Sequence, residues 1–190
     1  MSRKNFLSPI AAGNVYLIMG KTAKALEAYK RAEKANPRHP SVYFYQGSVL
    51  ERMGEKNKAI ERYNKSLSVN FNYVPAMNNL AYLYSEKQDK LDEALKLAER
   101  AKNLVPRDGS ITDTLGWVYY KKNIFSRAIV YFKEANEKIT DNPVIRYHLG
   151  MAYYKSDKKE MAKKELTAAL RMDPKYTGAD KAKAALEALK

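Results

Sequence analysis

Apolar residues return along this chain at helical spacing, in paired stretches of about a dozen residues separated by short polar turns. In residues 74–108, Met77, Leu80, Ala81 and Tyr84 fall on one face of a helix. Leu91, Ala94, Leu95, Ala98 and Ala101 fall on one face of the next. The same pair recurs throughout. A small residue stands at positions 13, 47, 81, 116 and 150, in steps of 34, 34, 35 and 34, with Tyr16, Leu50, Tyr84, Tyr119 or Tyr153 three residues on. A second small residue follows at Ala25, Ala59, Ala94, Ala128 and Ala162. Four residues later comes Tyr29, Tyr63, Ala98, Phe132 or Leu166, and three later again Ala32, Ser66, Ala101, Ala135 or Ala169. Pro37, Pro106 and Pro174 close three of the units, and Phe71 and Thr140 stand there in the other two.

A constant period predicts an array of like units, because an ordinary bundle needs no such period. The units run over residues 6–39, 40–73, 74–108, 109–142 and 143–176. The additional residue of the third lies in the turn of residues 85–93, where an insertion moves no packed face. Gly47, Gly116 and Gly150 each cost a helix about 1 kcal/mol against alanine, so a close approach of the paired helix is expected there. Gly20 and Gly54 suit the turn between helices, and the prolines stop each second helix. Residues 177–190 predict a closing helix with a narrow stripe of Ala182, Ala185, Leu186 and Leu189. The other end offers Phe6, Leu7 and Ile10 and no such cap. Either that end is unusually apolar, or the chain is the carboxyl-terminal part of a longer array.

The order of Gly or Ala, Tyr, Ala, Tyr or Phe, Ala and Pro resembles the tetratricopeptide repeat pattern over residues 6–176. The words Asn78–Tyr84 and Asp113–Tyr120 look like those of bacterial members. The departures are Phe71 and Thr140 for proline, Gln46 and Leu50 in the second unit, and Pro9 in the first. The resemblance implies an all-α fold: a right-handed superhelix of five helix-turn-helix repeats plus a carboxyl-terminal capping helix, forming one domain. It implies that first helices line a concave groove for peptides, extended segments or helices of partner proteins, as in scaffolds and adaptors. Some members clamp a terminal carboxylate with Lys, Asn and Arg. The matching places here, Ile10, Asn14, Tyr45, Pro75 and Asn79, hold two amides and no cation, which argues against that ligand.

If Leu80, Ala81 and Tyr84 face the core, then Asn78, Asn79, Tyr82 and Ser85 face elsewhere on their helix, which the resemblance assigns to the groove. The equivalents are Phe44, Tyr45, Ser48 and Glu51; then Asp113, Thr114, Trp117, Tyr120 and Lys121; then Tyr147, His148, Met151, Tyr154 and Lys155. Ile10, Ala11, Asn14 and Leu17 come from the first unit. Aromatic anchors with a few amides suit recognition of a peptide, because rings give area at low entropic cost and Asn both donates and accepts. The bland alternative packs some of these rings in the seams between units.

Composition changes this picture little. The 190 residues are 45% apolar, enough for a core, and no stretch spans a bilayer. The start has the positive flank of a signal peptide, but Ser8, Pro9, Gly13 and Asn14 break the following apolar run. Without cysteine there is no disulfide, thiol nucleophile or cysteine-ligated metal; this does not indicate a compartment. His39 and His148 are the only imidazoles, no serine stands in an activating context and no phosphate loop occurs. Neither an enzyme nor a cofactor or metal site is expected.

The net charge of +14 divides as +2 for residues 1–5, then +4, +2, 0, +1 and +4 by unit, and +1 for the tail. The basic groups Lys21, Lys24, Lys30, Arg31, Lys34 and Arg38, and Lys155, Lys158, Lys159, Lys163, Lys164 and Arg171, lie mostly on or beside second helices. Interspersed Glu27, Glu33, Glu160 and Glu165 make them read as solvated faces. Nucleic acid, an anionic membrane or an acidic partner is therefore the secondary reading. Self-assembly through the first repeat is another.

Overall fold

Amphipathic stretches broken by turn residues leave each stretch one way to bury its stripe, against the next helix. The computed structural model describes residues 3–190, and the side chains of residues 8–190. The side chains of Phe6 and Leu7, expected to open the first apolar stripe, lie outside the described residues, as do those of the positive flank, residues 1–5. The helices are α1 (Arg3–Ile18), α2 (Thr22–Ala35), α3 (Pro40–Arg52), α4 (Lys56–Val69), α5 (Val74–Ser85), α6 (Leu91–Leu104), α7 (Gly109–Lys121), α8 (Phe125–Lys138), α9 (Pro143–Lys155), α10 (Lys159–Met172) and α11 (Ala179–Ala188). This is an all-α array of five helix pairs followed by a terminal helix. Among the described residues no helix is long and apolar enough to cross a membrane.

Two compact units divide the chain between Leu83 and Tyr84, near the end of α5. In the first, α1 packs on α2, α2 on α3 and α3 on α4. In the second, α6 packs on α7, α7 on α8, α8 on α9 and α9 on α10, and α11 covers both α9 and α10.

The repeated columns are the core. Ala25, Ala59, Ala94, Ala128 and Ala162, with the residues four and seven places after each, are all buried. Four of the five first helices have glycine in their small column, and in each a large side chain of the following helix fills the gap. A Cβ on Gly13 would meet the Tyr29 ring at 2.3 Å, one on Gly47 the Tyr63 ring at 2.5 Å, and one on Gly116 the Phe132 ring at 2.7 Å. On Gly150 it would meet Leu166 at 2.7 Å. The third repeat instead carries alanine in both columns, at Ala81 and Ala98.

Turns and caps repeat as well. The residue two after the first helix has a positive φ at Gly20 (70°), Gly54 (79°), Asn123 (60°) and Asp157 (56°). Glycine takes that conformation freely, and the short polar side chains of Asn and Asp tolerate it. In the third repeat the longer connection forms a 3-10 turn, Gln88–Lys90. His39, Asp108 and Asn142 cap α3, α7 and α9 with side-chain acceptors. The capping helix α11 buries Ala179, Ala182 and Ala185, and Leu189 just after it is buried as well.

Candidate binding surface of the first helices

In the first unit the candidate residues surround two tyrosines whose hydroxyls emerge past a glycine. Tyr29 donates to Asn14 Oδ1 at 2.7 Å, and its ring stacks on Tyr45 with centroids 5.1 Å apart. Burial pushes the Tyr29 hydroxyl up to about 12. Tyr63 donates to Glu51 Oε2 at 2.9 Å and accepts from Asn79 Nδ2 at 3.0 Å. Phe44 is half-buried among Tyr45, Tyr63 and Tyr73. Asn79 is thus a seam residue as much as a surface one. Its neighbour Asn78 keeps a buried Oδ1 with no hydrogen-bond partner, and Tyr82 is half-buried.

The Tyr63–Glu51 bond has a consequence for stability. Burial raises the Glu51 carboxyl above its ordinary value of 4.5, opposed by the Tyr63 hydroxyl and then by Lys56. A carboxyl raised in the fold contributes stability below the unfolded value and loses it as pH rises through the folded one. Glu51→Gln keeps an acceptor for Tyr63 and removes the charge. It is expected to raise the melting temperature at neutral pH and leave it unchanged below pH 4.5. Melts of both proteins across that range check this; an equal melting temperature at every pH would mean the carboxylate is well solvated.

The second unit gathers its candidates into a stack. The Trp117 ring lies between Tyr120 (5.0 Å, 13°) and His148 (4.3 Å, 30°). Tyr120 leans in turn on Phe125 at 5.6 Å. Trp117 Nε1 donates to Glu86 Oε1 at 3.0 Å, and the same oxygen lies 3.3 Å from Lys121 Nζ. That ammonium also sits 5.7 Å from the centroid of the Trp117 ring. His148 Nδ1 meets both Asp113 oxygens, at 2.9 and 3.1 Å. Two first helices, α7 and α9, therefore meet through aromatic faces, with acidic groups fixing the nitrogen edges.

Four of the expected surface residues are buried, among them Ser85 at 1% exposure. Tyr147 is only 5% exposed, because Gly178 at φ 109° lets the chain before α11 close on its ring and Tyr176 packs beside it. His148 lies beneath Trp117 and beside Phe132, and Thr114 is buried as well. Ser85, Thr114, Tyr147 and His148 are therefore corrected to core and supporting positions. Met151 and Tyr154 are half-buried against the cluster that contains α11, and Lys155 sits 5.9 Å from the Tyr154 ring centroid. Sequence reasoning missed Glu86, although it stands in the column of Lys121, one repeat earlier. It also missed Phe125, for which no periodic signal existed.

Among the described residues no three His, Asp or Glu side chains cluster as a metal site. A shallow cleft of about 790 Å³ lies on the second-helix side of the last repeats, lined by residues such as Arg146, Lys163, Lys164 and Arg171. Arg146 pairs with Glu165 at 2.9 Å and Lys163 with Glu160 at 3.5 Å.

Helix pairs of this construction define a helical-repeat protein of the scaffold type. Profiles described as TPR repeat (residues 13–54) and tetratricopeptide repeat (residues 40–73, 144–176 and 76–104) match most of the sequence. The chain belongs to the tetratricopeptide repeat family. It is 24% identical over 138 residues to the general transcriptional corepressor trfA of Dictyostelium discoideum, covering 72% of this chain and 10% of that protein. It is also 24% identical over 172 residues to the BBSome complex member BBS4 of Bos taurus, covering 89% and 32%. The chain thus spans a minor part of these relatives' length. Among solved structures it resembles TTC0263, a thermophilic TPR protein of Thermus thermophilus, with 22% identity, a TM-score of 0.75 and 95% and 98% of the chains covered. YrrB, described as a TPR protein with an unusual peptide-binding site, gives 19%, 0.67, 96% and 94%.

Proposed function

We propose that this scaffold holds a peptide or helix of a partner protein along the first helices of its second unit, with Trp117 as the anchor. The observation that carries this reading is the stack of Tyr120, Trp117 and His148, fixed by Asp113, Glu86 and Lys121. Rings already immobilised lose little freedom when a ligand arrives, so their remaining surface is available for affinity. In the first unit Tyr45, Asn79 and Tyr82 offer a set of half-buried rings and an amide of its own. The peptide-binding description of YrrB is compatible with this reading; its likeness to this chain is one of fold. We place the chain among bacterial members on the wording of residues 78–84 and 113–120.

Trp117 is the single tryptophan, so its emission reports on the site directly. A partner captured from native extract, then titrated against the pure chain, is expected to shift that emission saturably. Its binding is expected to survive a rise from about 50 to about 200 mM salt, a range over which capture by phosphates weakens steeply. Saturable binding with unchanged emission would remove the site from the Trp117 face. Steep salt sensitivity would favour the basic second-helix surface, where no ion pair engages Lys164 or Arg171 among the described residues. Sedimentation of the pure chain tests the alternative of self-assembly through the first repeat.

A further inference from the structure

Six residues after its small residue, each second helix carries a long charged side chain, except α10. The column reads Arg31, Lys65, Arg100, Glu134 and Ala168. What the charged residue does is visible in two repeats. Lys65 of α4 lies 5.9 Å from the ring centroid of Tyr43, whose hydroxyl donates to the Pro37 carbonyl oxygen at 2.9 Å. Glu134 of α8 accepts from Lys102 of α6 and from Lys138 of its own helix, each at 2.6 Å. Both lysines also donate to the Pro106 carbonyl oxygen, at 2.6 and 3.0 Å. The chain's own side chains thus fill the seam beside the preceding turn.

At α10 that filling stops. Ala168 is half-buried and has no polar group to offer. Thr140 stands in the column of Pro37 and Pro106, and Arg146 in that of Tyr43 and Thr112. The cleft of about 790 Å³ opens at this place, walled by the turn before α9, by α9 itself and by α10. Its opening follows from residue type, since segments of this chain stand on each side of it. Four cations line it against two acids, Asp141 and Glu160. Lys164 and Arg171 are exposed there, and no ion pair engages either among the described residues. Thr167 lies between them on one face of α10, and Thr140 lines the wall made by the turn.

We infer that this cleft binds an extended acidic segment of a partner protein, one carboxylate of which takes the place that Glu134 holds one repeat earlier. Lys164 and Arg171 are two turns apart on α10, about 10 Å along its axis. Two acids three residues apart in an extended or polyproline chain span about the same distance. The hydroxyls of Thr140 and Thr167 both donate and accept, which suits the peptide backbone between those acids. A phosphate backbone fits less well. Asp141 and Glu160 stand among the cations and repel a ligand that is charged at every step. The cleft lies on the second-helix side, whereas Trp117 belongs to a first helix.

The probe is the fluorescent peptide Gly-Glu-Pro-Ser-Glu-Gly, compared with Gly-Gln-Pro-Ser-Gln-Gly. Saturable binding of the acidic peptide to the full chain is expected, about tenfold tighter than that of the neutral one or more. Lys164→Glu and Arg171→Glu, both at exposed positions, are each expected to weaken it about tenfold. Ala168→Glu, which gives the cleft a carboxylate of its own, is expected to abolish binding, and the equally large Ala168→Gln to weaken it less. The emission of Trp117 is expected to stay constant through the titration, which separates this cleft from the surface of the first helices. No saturation at any soluble concentration, or equal binding of the neutral peptide, overturns the inference. Equal loss in Ala168→Gln and Ala168→Glu overturns it too, as does equal weakening by Lys24→Glu in the first unit. A saturable change in Trp117 emission would place the peptide on the other surface, against the inference. A thymidine oligonucleotide that binds more tightly than the peptide and is weakened by Lys164→Glu would assign the cleft to phosphates and overturn it equally.

Discussion

Replacing Gly116 with leucine is expected to lower the stability of the second unit by about 3 kcal/mol, the upper end of the usual overpacking range. For a chain of this length that is a fall on the order of 10 °C in melting temperature. A Cβ there already meets the Phe132 ring at 2.7 Å, and that ring is buried with nowhere to retreat. Gly116→Ala is the sharper case. At an unobstructed helical site the change is worth about 1 kcal/mol of added stability. Here it is expected to destabilise, because the ring must move. Phe132→Leu is expected to recover part of the loss in the double variant, giving a coupling of about 1 kcal/mol or more in a double-mutant cycle. The third repeat carries alanine in both columns, at Ala81 and Ala98. If Gly116→Ala raised the melting temperature, the glycine column would owe nothing to close packing.

Removing the Trp117 ring is expected to act on binding instead. Trp117→Ala gives up two stacked contacts and the bond to Glu86, and loss of an interface anchor of this kind costs about 2 kcal/mol or more, roughly thirtyfold in affinity. The ring is only half-buried, so its removal is expected to cost the fold less, about 1 kcal/mol from the lost ring contacts. Isothermal titration with the captured partner and thermal melts of the same two proteins separate the two effects. A large fall in melting temperature with unchanged affinity would make Trp117 a structural residue. Trp117→Phe, which retains the stack and loses the indole N–H, is expected to fall between the two.

The period was legible because each of its columns answers to one packing requirement: the small residues, the rings that fill them and the closing alanines all reach the core as their spacing implies. The turn positions Asn123 and Asp157 were not, because only Gly20 and Gly54 announce a positive φ by residue type. The candidate surface was legible in part. Helical geometry separates core from non-core positions on one helix, which groups Trp117, Tyr120 and Lys121 on a common side. It does not say what the following helix or the chain end will cover. Tyr147 was lost to the surface through Gly178, and His148 through Trp117 itself, both contacts between residues about thirty apart in sequence. Glu86 was hidden for the opposite reason. It stands in a familiar column, but at the start of an inserted turn, where periodicity no longer fixes the direction of a side chain.

Within each unit the helix contacts run from α1 to α4 and from α6 to α11, each between neighbours or next neighbours along the chain. Loop closure is therefore cheap at these steps, since none of these contacts waits for a distant part of the chain to arrive. Folding is expected to be fast, on the millisecond scale or below, and able to begin at any helix pair. A growing chain can accordingly commit each pair to its partner soon after synthesis.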